Sequence, residues 1–314
     1  MAVTGQGTEE SPYLVRSHDE IGEAFELVKE DTGSGKRYIE LVTNIDGDWG
    51  TWTSLSAYVR SNQCTIDFNL ANHYIRNFKI GGYGTVLEMK NGDVIRNGQI
   101  YNFNCDRGSN FLRFMELNKV SASFLTKDLS AKALDQVKIK KSAVWIKANK
   151  MVAGYSPMII QFPAGVDSID ESDVKIIIDE LDLSSASGNT FVIFESYSPT
   201  NPIVGENCRI SGEIGSITGS TIPSYPAIAS SSVAFEDSVI SFEMPAYSGT
   251  VSSGQATTIV APGTTGVINS TLIHESNYAE YTMLNLIPVT NTEIYSADDL
   301  TQKGFTTYDI SPNE

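Results

Sequence analysis

Four short segments between residues 75 and 139 share one pattern, and this pattern predicts the architecture of the chain. The segments are IRNFKI at 75–80, IRNGQI at 95–100, LNKVSA at 117–122 and LDQVKI at 134–139. Each starts with an apolar residue followed by two polar residues, and the starts are nearly evenly spaced. A period of roughly 20 residues is typical of one turn of a parallel β-solenoid, in which each turn needs its neighbours to bury its apolar side chains. An antiparallel sandwich or barrel is the alternative, because strands at 8–12-residue intervals also suit that class.

The repeat makes a specific prediction about the core. The polar pair forms a corner between two faces, and the apolar residues on either side point into the shaft. Stacking of successive turns then places the first residue of every segment in one buried column. The predicted column consists of Ile75, Ile95, Leu117 and Leu134.

Composition and charge limit the classes of protein. The 314 residues are 41% hydrophobic and 19% charged, which excludes wholesale disorder. The net charge of −16 argues against nucleic acid as a partner and against an anionic membrane surface. No apolar run is long enough to span a membrane. The start of the chain lacks a basic, then apolar, export signal, so we expect synthesis in a cytoplasm.

One segment near the start has helical spacing. Ser17 precedes it as a candidate N-cap, and Glu20 three positions later completes a capping-box pattern. The apolar residues that follow recur at the i, i+3, i+4, i+7 positions of one helix face. They are Ile21, Ala24, Phe25 and Val28. The sequence therefore predicts a short amphipathic helix that ends before the loop at 31–35.

The segment at 7–80 resembles the entry cap of right-handed parallel β-helix proteins. GTEESPY at 7–13, the helix and YIELV at 38–42 follow that group's order of elements, and TIDFN at 65–69 with YIRNFKI at 74–80 resembles its first turn. The end of the chain, at 292–305, is similar to the ending of β-helix surface proteins. The resemblance implies an all-β, capped, right-handed parallel β-helix with a cap at 1–62, a shaft with loop-rich later turns at 63–290 and a second cap at 291–314.

The resemblance implies function less directly, because such proteins include polysaccharide-cleaving enzymes, adhesins, and virion fibres or spikes. A fold of this kind without an export signal favours a bacteriophage virion protein, a non-catalytic head or tail fibre or spike that binds the host surface. The expected partners are two further copies in a homotrimer, other virion proteins and a host surface glycan, and no cofactor is expected. The alternatives are a β-helix polysaccharide lyase or glycoside hydrolase and a bacterial surface adhesin.

The loop at 46–52 is the candidate ligand-binding site. Its acidic and aromatic side chains suit a sugar, because a ring stacks on an aromatic face while carboxylates bond its hydroxyls. The predicted site residues are Asp46, Asp48, Trp49 and Trp52. The alternative is that one or both tryptophans seal the first turn beneath the helix.

Acidic residues between 167 and 182 raise two further possibilities. Asp167, Asp170 and Asp173 form an acidic corner that could hold a divalent cation, since carboxylate oxygens are preferred ligands for calcium. Strand alternation places Glu180 and Asp182 on one side and Asp179 on the other. Paired carboxylates are the catalytic groups of glycosidases. A solvated acidic face explains the same residues in so acidic a chain, and we assign no catalytic residue.

Overall fold

The structure is a computed structural model. It describes residues 3–58, 63–81, 85–108, 110–130, 132–152, 158–163, 168–185, 192–197 and 203–219, and after these the backbone of short strands only. The predicted cap at 291–314 lies outside the described residues, apart from the strand Glu293–Tyr295. The division at residues 62 and 290 stays a prediction.

The predicted helix is confirmed as α1, His18–Glu30. Ser17 has an extended backbone, and its side chain accepts a hydrogen bond from the Glu20 amide at 3.2 Å. The Glu20 carboxylate accepts from the Arg16 amide at 2.7 Å, one residue before the N-cap, so the reciprocal bond of the predicted capping box goes to Arg16 instead of Ser17. The apolar face is buried as the spacing predicts.

The remaining described elements are strands. In chain order, β1 to β27 are Tyr13–Val15, Ser34–Leu41, Ile45–Asp46, Thr51–Trp52, Leu55–Ser56, Gln63–Asn69, Tyr74–Ile80, Leu87–Glu88, Val94–Gly108, Leu112–Leu129, Leu134–Lys140, Ala143–Val152, Met158–Phe162, Ile169–Asp170, Asp173–Asp182, Val192–Ser196, Ile203–Glu206, Arg209–Ile214, Ile217–Thr218, Thr221–Ile222, Ala227–Ala229, Val233–Glu236, Val239–Met244, Thr250–Val251, Val267–Ile268, Thr271–Ser276 and Glu293–Tyr295.

The described strands pair in parallel. Twenty-five of them form one hydrogen-bonded sheet, and β20 pairs with β24. The described pairing includes one antiparallel contact, an isolated bridge between Thr4 and Leu14. Strands distant in sequence pair while consecutive strands do not form hairpins, so the chain returns to each position after a full circuit. This all-β, parallel arrangement is compatible with a β-solenoid.

The register corrects the predicted single column, because the four predicted residues fall into three different columns of inward-facing residues, here called A, B and C. Column A contains Ile39, Phe68, Ile95, Leu117, Ile139 and Ile169. Column B contains Ile45, Ile75, Ile100, Ala122, Val144, Val174 and Ile210. Column C contains Leu55, Leu87, Leu112, Leu134, Ile160 and Phe194. All are buried except the half-buried Leu55.

The four residues predicted to stack are therefore all buried but lie in different columns. Ile95 and Leu117 are neighbours in column A, whereas Ile75 belongs to column B and Leu134 to column C. The chain passes through A, B and C in that order on each turn. The sequence distance between neighbours in a column varies, and it is much greater from Val174 to Ile210 than from Ile95 to Leu117. Loops of unequal length make many turns longer than the sequence repeat suggested.

The polar corners that the repeat predicted are present, but only those at Asn97 and Lys119 lie between columns A and B, since Asn77 follows Ile75 of column B and Gln136 follows Leu134 of column C. From the turn of Asn97 onward, one residue per corner between columns A and B has a positive φ, the left-handed conformation that turns the chain sharply, and the preceding corner has two, Ala71 and Asn72. Inside the corner, the Ser142 hydroxyl accepts from the Val120 amide at 3.1 Å, and the Ser172 hydroxyl accepts from the Ser142 amide at 3.2 Å. These buried hydroxyls satisfy amides that the bend removes from the strand ladder. The left-handed corner residues are Asn97, Lys119, Lys141, Glu171 and Asn207.

No helix in the described ranges has the length and apolar character that crossing a membrane requires.

Candidate functional site

The structure separates the two tryptophans of the predicted site. Trp52 is fully buried, and its indole Nε1 donates to the Val86 carbonyl at 2.9 Å. Its ring lies edge-on to the rings of His18, Phe78 and Phe103, with centroid distances of 4.4, 4.9 and 5.1 Å. The prediction that Trp52 stacks against a ligand is therefore wrong, because core rings and α1 enclose its side chain. The alternative interpretation, that a tryptophan seals the first turn beneath the helix, holds for Trp52.

Trp49, in contrast, remains a candidate, since its side chain is 43% exposed. Asp48 and Trp49 both have positive φ, at 45° and 59°. Bulky residues rarely adopt this conformation, and local strain of this kind clusters at binding sites. The loop is held in place by backbone bonds, since the Gly47 amide donates to the Arg76 carbonyl at 2.9 Å and the Trp49 amide to the Asn77 carbonyl at 2.7 Å.

Asp46 is the polar anchor of this loop. Its carboxylate accepts from Arg76 Nε at 2.7 Å, from the Asn77 side chain at 3.0 Å and from the Asp48 amide at 3.1 Å. Partial burial opposes ionisation, but these three donors outweigh it and hold the pKa of Asp46 below its ordinary value. Asp46 is therefore ionised at neutral pH and already occupied by protein donors, while Asp48 is exposed with its amide directed at Asp46.

Arg76 extends the site onto the next turns. It donates to the Tyr101 hydroxyl at 2.7 Å, and its guanidinium lies over the Tyr74 ring at 4.4 Å from the centroid. The bonds to Tyr101 and to Asp46 raise the pKa of Arg76. Asp46, Arg76 and Tyr101 are register partners on β3, β7 and β9, so the outer side of the sheet carries an aligned acid, base and phenol. We call Asp46, Trp49, Tyr74, Arg76 and Tyr101 the aromatic patch.

Sequence reasoning missed Tyr74, Arg76 and Tyr101, although Arg76 is part of the repeat. In the sequence, the only sign of these residues was that a polar residue follows each inward-facing apolar residue of the repeat. Register was needed to show that these positions in different turns are adjacent. Asparagines support the patch from the corner, where Asn102 donates to Asn77 at 3.0 Å.

The predicted metal corner is not assembled by the described residues. Asp167 lies outside them. Asp170 pairs with Lys140 and Glu206 along the sheet, and Asp173 pairs with Ala143 and Arg209. In the part of the chain that the structure covers, no three His, Cys, Asp or Glu side chains stand close enough together to hold a metal ion.

Glu180 and Asp182 lie on one side of β15, as alternation predicts. Both bind the same ammonium group, since Lys150 Nζ lies 2.8 Å from Glu180 and 3.0 Å from Asp182. Burial opposes ionisation of Asp182, but bonds from Ser184 and Lys150 hold its pKa below the ordinary value. The two carboxylates raise the pKa of Lys150 to about 12. Both carboxylates thus share one cation. This differs from a catalytic acid and base pair, in which the surroundings of two carboxylates push their pKa values apart.

A second aligned set of polar residues was not predicted. It follows column C on the outer side of the sheet, where Arg113 bridges Glu88 at 2.6 Å and Asp135 at 3.1 Å. Lys132 then bridges Asp135 at 3.0 Å and Gln161 at 2.6 Å. Beyond Gln161 the register partner is Glu195, and burial raises the pKa of that carboxyl, with Lys132 opposing the shift. We call this set the outer ladder. Its members are Ser56, Glu88, Arg113, Lys132, Asp135, Gln161 and Glu195.

Comparison of the chain with protein-family models, with curated proteins and with solved structures finds no match.

Proposed function

We propose that this chain is a structural protein of a bacteriophage virion, a head or tail fibre or spike that holds a host surface glycan without cleaving it. The observation that carries the binding role is the aromatic patch. Trp49 is exposed on the loop that Asp46 anchors, and the bonds of Arg76 to Asp46 and to Tyr101 fix those three side chains before any ligand arrives. A preorganised surface loses little side-chain entropy on binding.

The full fold under this proposal is a right-handed parallel β-helix capped at its first turn by α1. Right-handed crossovers between parallel strands are strongly favoured, because a right-twisted strand packs back onto the sheet only in that sense. The helix places His18 against Trp52, and its buried face lies on the first turn, which suits a cover for the open end of the stack.

The proposed assembly is a homotrimer within the virion. The outer side of β10 and β15 carries Leu125 and Ile177 among polar residues, whereas Trp145 on β12 is only 9% exposed. Leu125 and Ile177 are half-buried, and each flanks Lys147 in the register. Apolar side chains on an outer sheet face support contact with other copies. Three copies per fibre would multiply weak glycan contacts through effective concentration.

The second candidate function is polysaccharide cleavage on the same fold. Glu180 and Asp182 are the observation that favours it, because they lie side by side on one strand. Their shared ion pair with Lys150 disfavours it, since a general acid needs a raised pKa and the pKa of Asp182 is lowered.

The test is an array of purified bacterial capsular polysaccharides and lipopolysaccharides, probed with the full chain and two variants. Trp49→Ala should lose binding. Tyr58→Ala is the matched control, because Tyr58 is exposed to the same 43% but lies away from the patch, stacked on Phe114. Tyr58→Ala should bind as the wild type does.

The proposal fails if no polysaccharide binds, or if the two variants bind equally well. Shortening of a bound polysaccharide, followed by the release of reducing ends, would overturn the non-catalytic part. If that activity disappeared in Asp182→Ala or Asp179→Ala, the cleavage alternative would replace it.

A further inference from the structure

A groove lies on a different side of the chain from the aromatic patch. Its volume is about 350 Å³, at the lower end of the range for ligand sites. It forms where β9, β10 and β11 pass beneath the residues that follow β13 and β16. The residues that line it include Val94, Met115, Glu116, Lys138 and Tyr197.

The floor and walls of the groove differ in character. Met115 is buried and Val94 is half-buried, so both contribute apolar surface. Glu116 and Lys138 are register partners on β10 and β11, which places an acid and a base side by side on one wall. Lys138 forms no ion pair with any residue that the structure describes, and Glu116 accepts one hydrogen bond from Asn118 at 3.2 Å. Both groups therefore keep capacity for a ligand.

Tyr197 provides the aromatic surface at the rim. Its side chain is 61% exposed, the largest exposure among the large hydrophobic side chains of the described chain. The backbone at this point is fixed, because the Tyr197 amide donates to the Phe162 carbonyl at 2.9 Å. An exposed ring on a fixed backbone beside polar groups is suited to stacking against the apolar face of a sugar.

We infer that this groove is a second saccharide subsite, for one or two neutral pyranose rings. The inference rests on the proposed function, because it names another part of the glycan-binding surface. Glu116 accepts from ring hydroxyls, Lys138 donates to ring oxygens, and Tyr197 covers one ring face. The charges of Glu116 and Lys138 cancel each other, and the whole chain carries a net charge of −16. An acidic sugar would therefore meet repulsion without a compensating excess of positive charge.

The experiment is saturation-transfer NMR and titration of the full chain with maltose, lactose, diacetylchitobiose and digalacturonate. At least one neutral disaccharide should bind, and more tightly than digalacturonate. Tyr197→Ala should weaken that binding about tenfold or more, because it removes the stacking surface. Glu116→Gln should weaken it less, since the amide keeps one acceptor. Tyr197 is mostly exposed, so unfolding curves should show that Tyr197→Ala folds as the wild type does.

Tyr58→Ala, at an exposed ring outside both the groove and the aromatic patch, serves as the control in the same titration and should bind the disaccharide normally. The inference is overturned if no neutral disaccharide binds, if digalacturonate binds best, or if Tyr197→Ala binds as the wild type does. The polysaccharide array with Trp49→Ala judges the proposed function separately. A wild-type chain that binds polysaccharide through Trp49 but no disaccharide through Tyr197 would reject the groove alone.

Discussion

Ile95→Ala tests the stacking of column A most directly. Ile95 is fully buried in column A, with Phe68 on one side and Leu117 on the other. Adjacent strands are about 4.8 Å apart and their backbones are held by hydrogen bonds, so the neighbours cannot collapse into the space left by the deleted atoms. We expect the free energy of unfolding to fall by about 3 kcal/mol, and by about 1 kcal/mol for Ile95→Val. Gln99→Ala, on an exposed side chain of the same strand, should change it by less than about 0.5 kcal/mol.

A double-mutant cycle then distinguishes the observed register from a single column. Ile95 and Leu117 are in contact range, so their alanine variants should couple by about 1 kcal/mol. Ile95 and Leu134 lie in different columns and on different turns, so their effects should add. The assay is urea unfolding followed by both tryptophan fluorescence and circular dichroism. The register is refuted if the Ile95 and Leu134 variants couple as strongly as the Ile95 and Leu117 variants, or if Ile95→Ala resembles Gln99→Ala.

Three further outcomes are expected. The pKa of Glu195 is higher in the folded chain than in the unfolded chain. The protonated Glu195 carboxyl therefore contributes its full stability below the unfolded pKa, and this contribution is lost as the pH rises through the folded pKa. Glu195→Gln should therefore raise the melting temperature at pH 7 and leave it unchanged near pH 3, and an unchanged temperature at pH 7 would contradict this. Gly98→Ala should cost about 2 kcal/mol, since a Cβ there would lie 2.4 Å from Leu70 Cβ, while Gly81→Ala, 3.5 Å from Thr51 Cγ2, should be tolerated. Native mass spectrometry should find three copies of the 34.2 kDa chain together, and a stable monomer at micromolar concentration would reject the trimer.

The outer ladder explains why the Glu195 prediction concerns stability rather than chemistry. Arg113 and Lys132 each bridge groups from different turns, so every carboxylate before Glu195 has a cation beside it. Glu195 stands at the end of this series, where burial is less well compensated. Its removal should relieve a desolvation cost without breaking an ion pair of the ladder.

Features that depend on neighbours along the chain could be predicted from the amino-acid sequence. The N-cap at Ser17 was readable because its bond from the Glu20 amide joins residues within a single helical turn. Alternation placed Glu180 and Asp182 on one side because the period of a strand is two. The polar corners were readable as well, since a left-handed residue at Asn97 or Lys119 is a local property.

The stacking of one turn on another, in contrast, required the tertiary structure. Loops of unequal length separate the strands, so equal spacing in sequence did not mean the same column, and Ile75 and Leu134 left the predicted stack. The two tryptophans illustrate the same limit, since one is exposed and the other, close by in sequence, is sealed by His18, Phe78 and Phe103 from other elements. Arg76, Asp46 and Tyr101 lie on different turns, so only the register showed that their side chains are neighbours. Contacts between turns depend on register, and register is fixed by the packing of the whole stack rather than by any one segment.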